Sequence, residues 1–261
     1  MRLRVGAATD RGRVRELNED VYGMRLHEGL FVVCDGMGGC SGGEVASRMA
    51  LETILRELQE PGPDVPSRAP RADARYRAQT SRLADAVRRS NQVIFDRAQQ
   101  DDRRAGMGTT MVGAWISDHV ASVAHVGDSR AYLWHRNALE PLTRDHSMAG
   151  HQNILLRVLG RMPDVDVELN EVPVQQGDYI LLCSDGLTRM VPEDAVAEAI
   201  VEFGHPQAIC DRLIETANRN GGQDNITLVV VEVRRNWWRQ TAGRWTKRMR
   251  GSHDGQAHTA L

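Results

Sequence analysis

The chain has 261 residues, 41% hydrophobic and 26% charged, which suits one soluble domain able to bury a sizeable core. Its formal net charge of -2 excludes a generally basic nucleic-acid binder, because contacts to a phosphate backbone require a strong positive excess. The opening MRLRVGAATDRGR holds no apolar run of signal-peptide length, and no later stretch approaches the roughly 20 apolar residues of a bilayer span, so a cytoplasmic location is expected.

The first short apolar, β-branched run, Leu30 to Cys34, predicts a strand. Val45, Met49, Glu52, Ile54, Leu55 and Leu58 then recur at helical spacing, as do Leu83, Val87, Asn91, Ile94 and Phe95, which predicts two long helices. Between them EPGPDVPSRAPRAD, residues 60–73 with four prolines, predicts a surface loop. Further strands are expected at Met111 to Ile116, Val120 to Val126, Ala131 to His135, Tyr179 to Cys183 and Ile226 to Val233. Pro192 and Pro206 each open a helical pattern, one through Val196, Ile200 and Phe203, the other through Ile209, Leu213 and Ala217. Tight links at Ser117-Asp118 and Arg136-Asn137 imply antiparallel pairing, and helices that come in sequential pairs imply a layered α+β fold rather than a doubly wound sheet. The four cysteines, Cys34, Cys40, Cys183 and Cys210, form no CxxC pair, and reduced core thiols are expected.

The chemistry is carried by aspartates at strand ends. Asp35 follows the first strand run, Asp185 follows Tyr179 to Cys183, and Asp224 precedes Ile226 to Val233. Hard divalent cations such as Mg2+ and Mn2+ take oxygen ligands and keep several waters, so a few carboxylates and a backbone carbonyl are enough to hold them. Each aspartate has glycine close by, in DGMGG (35–39), SDGL (184–187) and GGQDN (221–225). Any one Asp-Gly pair alone reads as a turn. Three beside apolar strands point instead to one site at the edge of a sheet.

With NED (18–20), MGTT (107–110), HVGDSR (125–130) and LTRDHS (142–147) added to these three, the ordered motifs make the chain resemble the bacterial type 2C metal-dependent serine/threonine protein phosphatases, from about Gly6 to Val233. The resemblance implies a four-layer α-β-β-α sandwich, two antiparallel sheets flanked by paired helices, over residues 1–233. It also implies two divalent cations, Mn2+ or Mg2+, with Asp35 bridging, the Gly36 carbonyl on one ion, Asp185 and Asp224 on the other, and Asp20 acting through water. Asp128 matches a position that in bacterial relatives helps hold a weaker third ion together with Asp185. The implied reaction is hydrolysis of phosphoserine and phosphothreonine in proteins by a metal-activated water. Phosphoproteins and a cognate bacterial Ser/Thr kinase are the expected partners, and a monomer is the expected state. Arg15 matches the phosphate-binding arginine, although RGRVR also offers ordinary surface arginines. Ser184 and Asn225 either orient the aspartates beside them or cap the chain locally. His125 and His146 are expected to be structural hydrogen-bonding histidines, and Thr109 and Thr110 to support the core. Met37 stands where many eukaryotic relatives carry a histidine considered as a general acid, so the leaving group must be protonated by another group.

Two departures stand out. Only MAGHQNILLRV separates His146-Ser147 from Leu159-Gly160, where relatives carry a longer flap beside the active site, and an unusual substrate choice is expected from that. Beyond Val233, in a tail spanning residues 234–261, seven arginines and lysines interleave with Trp237, Trp238 and Trp245 before the first acid at Asp254. Residues 234–250 read either as a basic amphipathic helix on anionic lipid at the inner face of the membrane or on an acidic partner, or as a tail docked on the domain. A phosphoesterase for small phosphate esters and a phosphoprotein-binding pseudophosphatase remain as alternative readings of the whole.

Overall fold

A strand that is apolar at every position must bury both of its faces, and the architecture supplies a cover for each. The computed structural model describes residues 1–38, 42–59, 75–148 and 151–234. In chain order these form β1 (Arg2–Asp10), β2 (Asp20–Arg25), β3 (Leu30–Met37), α1 (Gly42–Gln59), α2 (Ala78–Gln100), β4 (Gly108–Thr109), β5 (Met111–Ser117), β6 (Val120–Val126), β7 (Arg130–His135) and β8 (Ala138–Pro141). The series continues with β9 (Ser147–Met148), β10 (His151–Leu155), β11 (Glu168–Pro173), β12 (Tyr179–Cys183), α3 (Asp185–Thr188), α4 (Glu193–Phe203), α5 (Pro206–Arg219) and β13 (Ile226–Arg234). The proline-rich segment at 60–73, Cys40 and the tail beyond residue 234 lie outside the described residues.

Two large antiparallel sheets result, and β9 and β10 pair separately as a two-stranded ribbon. One has the order β1-β13-β12-β7-β8, the other β11-β6-β5-β3-β2. Side-chain alternation divides each central strand between two cores. Phe31 and Val33 of β3 face Ile180, Leu182, Val229 and Val231 between the sheets. Leu30, Val32 and Cys34 of the same strand turn outward to Ala46, Ile54, Leu83 and Val87 of α1 and α2. On the opposite side Leu181, Leu228 and Val230 pack under Ile200, Ile209 and Leu213 of α4 and α5. The four-layer sandwich expected from the motifs is therefore the observed fold. Cys34, Cys183 and Cys210 are buried free thiols, and burial holds each well above the ordinary thiol pKa.

The turn between β7 and β8 falls on Arg136-Asn137 as expected, with φ of 49° and 62°. The β5-β6 turn lies one residue later than expected, on Asp118-His119 with φ of 46° and 62°, because a two-residue hairpin loop of this hand needs positive φ at both central residues. Four further strands, β1, β2, β8 and β11, widen the sheets beyond the six expected strand runs. Among the described residues no helix is long and apolar enough to cross a membrane.

Candidate active site

Strand register gathers the aspartates. Cys183 pairs with Leu228 on one side and with Arg130 on the other, so Asp185, Asp224 and Asp128, just beyond those strand ends, meet at one end of the first sheet. In the second sheet Asp20 lies directly opposite Asp35. The two sheet ends open onto a cavity of about 400 Å³ whose wall includes Asp35, Gly36, Asp128, Asp185 and Asp224, with Arg15, Glu19, Met37, Leu155 and Arg189 around them. All three sequence-predicted core carboxylates thus share one pocket. Asp20 is behind its wall and almost fully buried. Leu155, at the end of β10, shows that the shortened flap still reaches this pocket.

The carboxylates are held by their backbones and neighbours. The Asp35 carbonyl accepts from Thr109 Oγ1 and from the Thr110 amide, both at 2.8 Å, while the Asp35 amide donates to Thr110 Oγ1 at 3.2 Å. Thr109 and Thr110 therefore support the site's backbone as well as the core. Gly36 has no room for a side chain, since a Cβ there would collide with the Gly43 carbonyl at the start of α1. Ser184 Oγ donates to Asp20 Oδ2 at 2.7 Å and makes no side-chain cap to α3, so the aspartate it orients is the distant Asp20 and not the adjacent Asp185. Asn225 does something the sequence did not reveal. Its amide nitrogen donates to the carbonyls of Arg11 (3.0 Å) and Leu17 (2.8 Å) and its Oδ1 accepts from the Glu19 amide (2.8 Å), clamping the loop that carries Arg15.

Arg15 Nη2 donates to Asp224 Oδ2 at 2.8 Å from a half-exposed position on the rim. Arg189, missed in the sequence, is paired with Asp185 Oδ2 and lies 3.5 Å from Asp128 Oδ2. The signal for it was present, because a residue four positions after Asp185 falls on the same face if the chain turns helical there.

Asp20 Oδ1 and Asp185 Oδ1 are buried without a hydrogen-bond partner. Crowded carboxylates with orphaned oxygens and no thiol or imidazole among them fit hard divalent cations. A different cluster, His125, His146 and Glu168, also has donor atoms within 4.8 Å of one another. There His146 Nδ1 accepts from the Gly127 amide at 3.1 Å, so Nε2 carries the proton toward Glu168 Oε2 at 3.1 Å, and the Arg157 guanidinium lies 3.2 Å from that nitrogen and opposes a cation. His146 is the expected hydrogen-bonding histidine. At His125 both ring nitrogens are buried, and burial, then His146, push its pKa down to about 3 against a hydrogen bond with the Ser129 backbone, which raises it.

A family model described as protein phosphatase 2C matches residues 9–250. The chain belongs to the protein phosphatase 2C family. It is 36% identical over 246 residues to the serine/threonine phosphatase stp of Listeria monocytogenes, across 86% of this chain and 93% of the relative. It is 33% identical over 252 residues to the serine/threonine protein phosphatase PstP of Mycobacterium tuberculosis, across 88% of this chain and 45% of that longer protein. The solved catalytic domain of a serine/threonine protein phosphatase PstP, in complex with two manganese ions, superposes with a TM-score of 0.77 at 32% identity over 89% of this chain and 99% of that one.

In this protein phosphatase 2C chain the acids raise one another. Burial, followed by Asp185 and Asp224, pushes Asp20 up to about 7 against the hydroxyls of Ser184 and Thr227, which lower it. Asp128 is pushed up to about 7 by burial and Asp185, opposed by Arg189. Asp35 and Asp185 are raised too, both chiefly by burial. A carboxyl whose folded pKa lies above its unfolded value of about 4 binds more protons folded than unfolded between the two, so the phosphatase loses stability as pH climbs through that window. Divalent cations bind the deprotonated form and reverse the effect. In EDTA the melting temperature is therefore expected to fall between about pH 5 and about pH 8, and the rise on adding Mn2+ to be larger at the upper end. A melting temperature in EDTA that climbs across this range would contradict the assignment.

Proposed function

We propose that this chain hydrolyses phosphoserine and phosphothreonine in proteins, reversing the action of a bacterial Ser/Thr kinase, with Mn2+ or Mg2+ held by Asp35, Asp185, Asp224 and the Gly36 carbonyl. The observation that carries the reading is the convergence of raised, partly unpartnered carboxylates on one cavity with an arginine at its rim. Bound there, the ions supply Lewis acidity, lowering the pKa of water and offsetting charge on phosphoryl oxygens. Asp35, its backbone pinned by Thr109 and Thr110, would be the carboxylate that the two ions share. Asp20, steadied by Ser184, stands opposite Asp35 with one unpartnered oxygen through which it would hold a water of the metal centre. We place the catalytic unit in residues 1–233, acting as a monomer in the cytoplasm, with β13 as its last element and the basic tail as an accessory segment.

Hydrolysis of phosphopeptides with Mn2+ or Mg2+, with and without EDTA, tests the reading. Turnover that survives EDTA, or an Asp185→Asn variant with full activity, would sink it. Activity on sugar phosphates with none on phosphopeptides would favour the small-ester reading, and metal binding without any turnover would favour a binding protein.

Arg15 is the group that binds the phosphoryl oxygens. A guanidinium presents paired donors in a plane that matches phosphate, whereas an ammonium is a point charge. Its bond to Asp224 steadies it at the rim while half of its surface remains open to an incoming phosphate. Arg15→Ala is expected to lower kcat/KM for a phosphopeptide by about 30-fold, the equivalent of about 2 kcal/mol for charge-assisted hydrogen bonds. Arg15→Lys should recover little of it. Steady-state kinetics in which lysine restores the full rate would show that only the charge matters.

A further inference from the structure

Among the described residues two arginines, Arg15 and Arg189, line the pocket, and they divide its carboxylates unequally. Arg15 takes one oxygen of Asp224 from the exposed rim. Arg189 sits deeper against Asp128 and Asp185, acids that are 6% and 7% exposed. It follows Asp185 by four residues at the end of α3, and the Arg189 amide donates to the Asp185 carbonyl at 2.9 Å, so the helical turn itself carries the side chain back over that acid. Asp128 comes from the opposite side, in the short turn between β6 and β7, and its Oδ2 lies 3.5 Å from the same guanidinium nitrogen.

We infer that Arg189 is a built-in cation for the Asp128–Asp185 pair, a positioning residue that holds this side of the pocket against a further divalent ion and so limits the centre to two. An arginine stays protonated at any working pH, so its charge cannot be titrated away to make room. A divalent ion between Asp128 and Asp185 would meet a fixed positive charge at contact distance and leave that guanidinium without its partners. Among the described residues Asp35 meets a cation from the exposed rim, where its charge acts on Arg15, and Asp20 stands behind the pocket wall. The remaining exposure of Arg189, about a third of its side chain, gives it room to swing outward, so exclusion is a matter of affinity.

This inference rests on the two-ion reading above, and the experiment separates the two. The full chain is titrated with Mn2+ while the electron paramagnetic resonance signal of the free ion is followed. Wild type is expected to take up two ions, Arg189→Gln a third and weaker one, and Arg189→Gln combined with Asp128→Asn two again. Arg189→Lys, which keeps the charge, should stay at two, and far-UV circular dichroism confirms that each variant is folded. A wild-type chain that binds three ions, or a folded Arg189→Gln chain that still binds two, overturns the inference and leaves the two-ion reading standing. Fewer than two ions in the wild type overturns both.

Discussion

Asp35→Asn is expected to lower kcat on a phosphopeptide by roughly 1,000-fold or more while raising the melting temperature measured in EDTA. The activity loss follows from position. Asp35 stands near the end of β3 in the second sheet, and after burial and Asp20, the acids Asp185, Asp128 and Asp224 are each close enough to raise its pKa. A bridging charge removed from a two-ion centre forfeits several kcal/mol of transition-state stabilisation, and each 1.36 kcal/mol is a factor of ten. The stability gain follows from the same crowding, because ionising a partly buried carboxyl among like charges disfavours the fold and the neutral amide is spared that cost. Asparagine is isosteric, and the bonds from Thr109 and Thr110 address only the Asp35 backbone, so they survive the change. Two measurements therefore move in opposite directions, which general misfolding cannot imitate. Activity within tenfold of wild type, or an undiminished rise of melting temperature on adding Mn2+, would refute the bridging role.

The parts of the molecule legible in the sequence are those whose environment is fixed by their own residues. Leu30 to Cys34 is an unbroken apolar run and Ile226 to Val233 is interrupted only at Thr227 and Glu232, because both faces of β3 and β13 are covered, and a buried strand needs that composition. The missed strands belong to sheet margins or carry interruptions. β1 opens by alternating Arg2 and Arg4 with Leu3 and Val5, since Arg4 reaches Glu232 and the Gly204 carbonyl while Leu3 and Val5 turn to the core; Gly23 interrupts β2, and β11 holds Glu168, Asn170 and Glu171 and ends at Pro173. At the site, motif order delivered the acids, but their partners depend on contacts between distant segments. Arg15 and Asp224 are 209 positions apart, and the bonds from Asn225 to the carbonyls of Arg11 and Leu17 join the two ends of the catalytic fold. No local pattern encodes such a clamp. Asp185 illustrates the limit from the other side: SDGL suggested a turn, whereas this aspartate begins α3, and that one helical turn aims Arg189 back at the acids.

The Gly186 position shows how narrowly the acids are spaced. Gly186 packs against the backbone of the segment that carries Asp224: a Cβ added to it would collide with the carbonyl oxygen of Asn225, come within 2.9 Å of its carbonyl carbon and reach 3.4 Å from Asp224 Cβ. Backbone cannot rotate aside as a side chain does, so Gly186→Ala must push α3 away from the start of β13. That displacement separates Asp185 from Asp224 and loosens Ser184, whose Oγ accepts from the Thr227 amide at 3.0 Å and donates to Asp20. Overpacking of this kind costs about 3 kcal/mol, and in a domain of this size a melting temperature lower by roughly 10 °C is expected. The added methyl lies beside Asp185 and Asp224, the two proposed ligands, so affinity for Mn2+ should fall with stability, whereas an overpacking change remote from the pocket would lower stability alone. Calorimetric melts with and without Mn2+ distinguish these cases: the ion-induced rise should shrink in Gly186→Ala. If the variant melts within about 2 °C of wild type, the close approach of α3 to the Asp224 segment is not a constraint on the site.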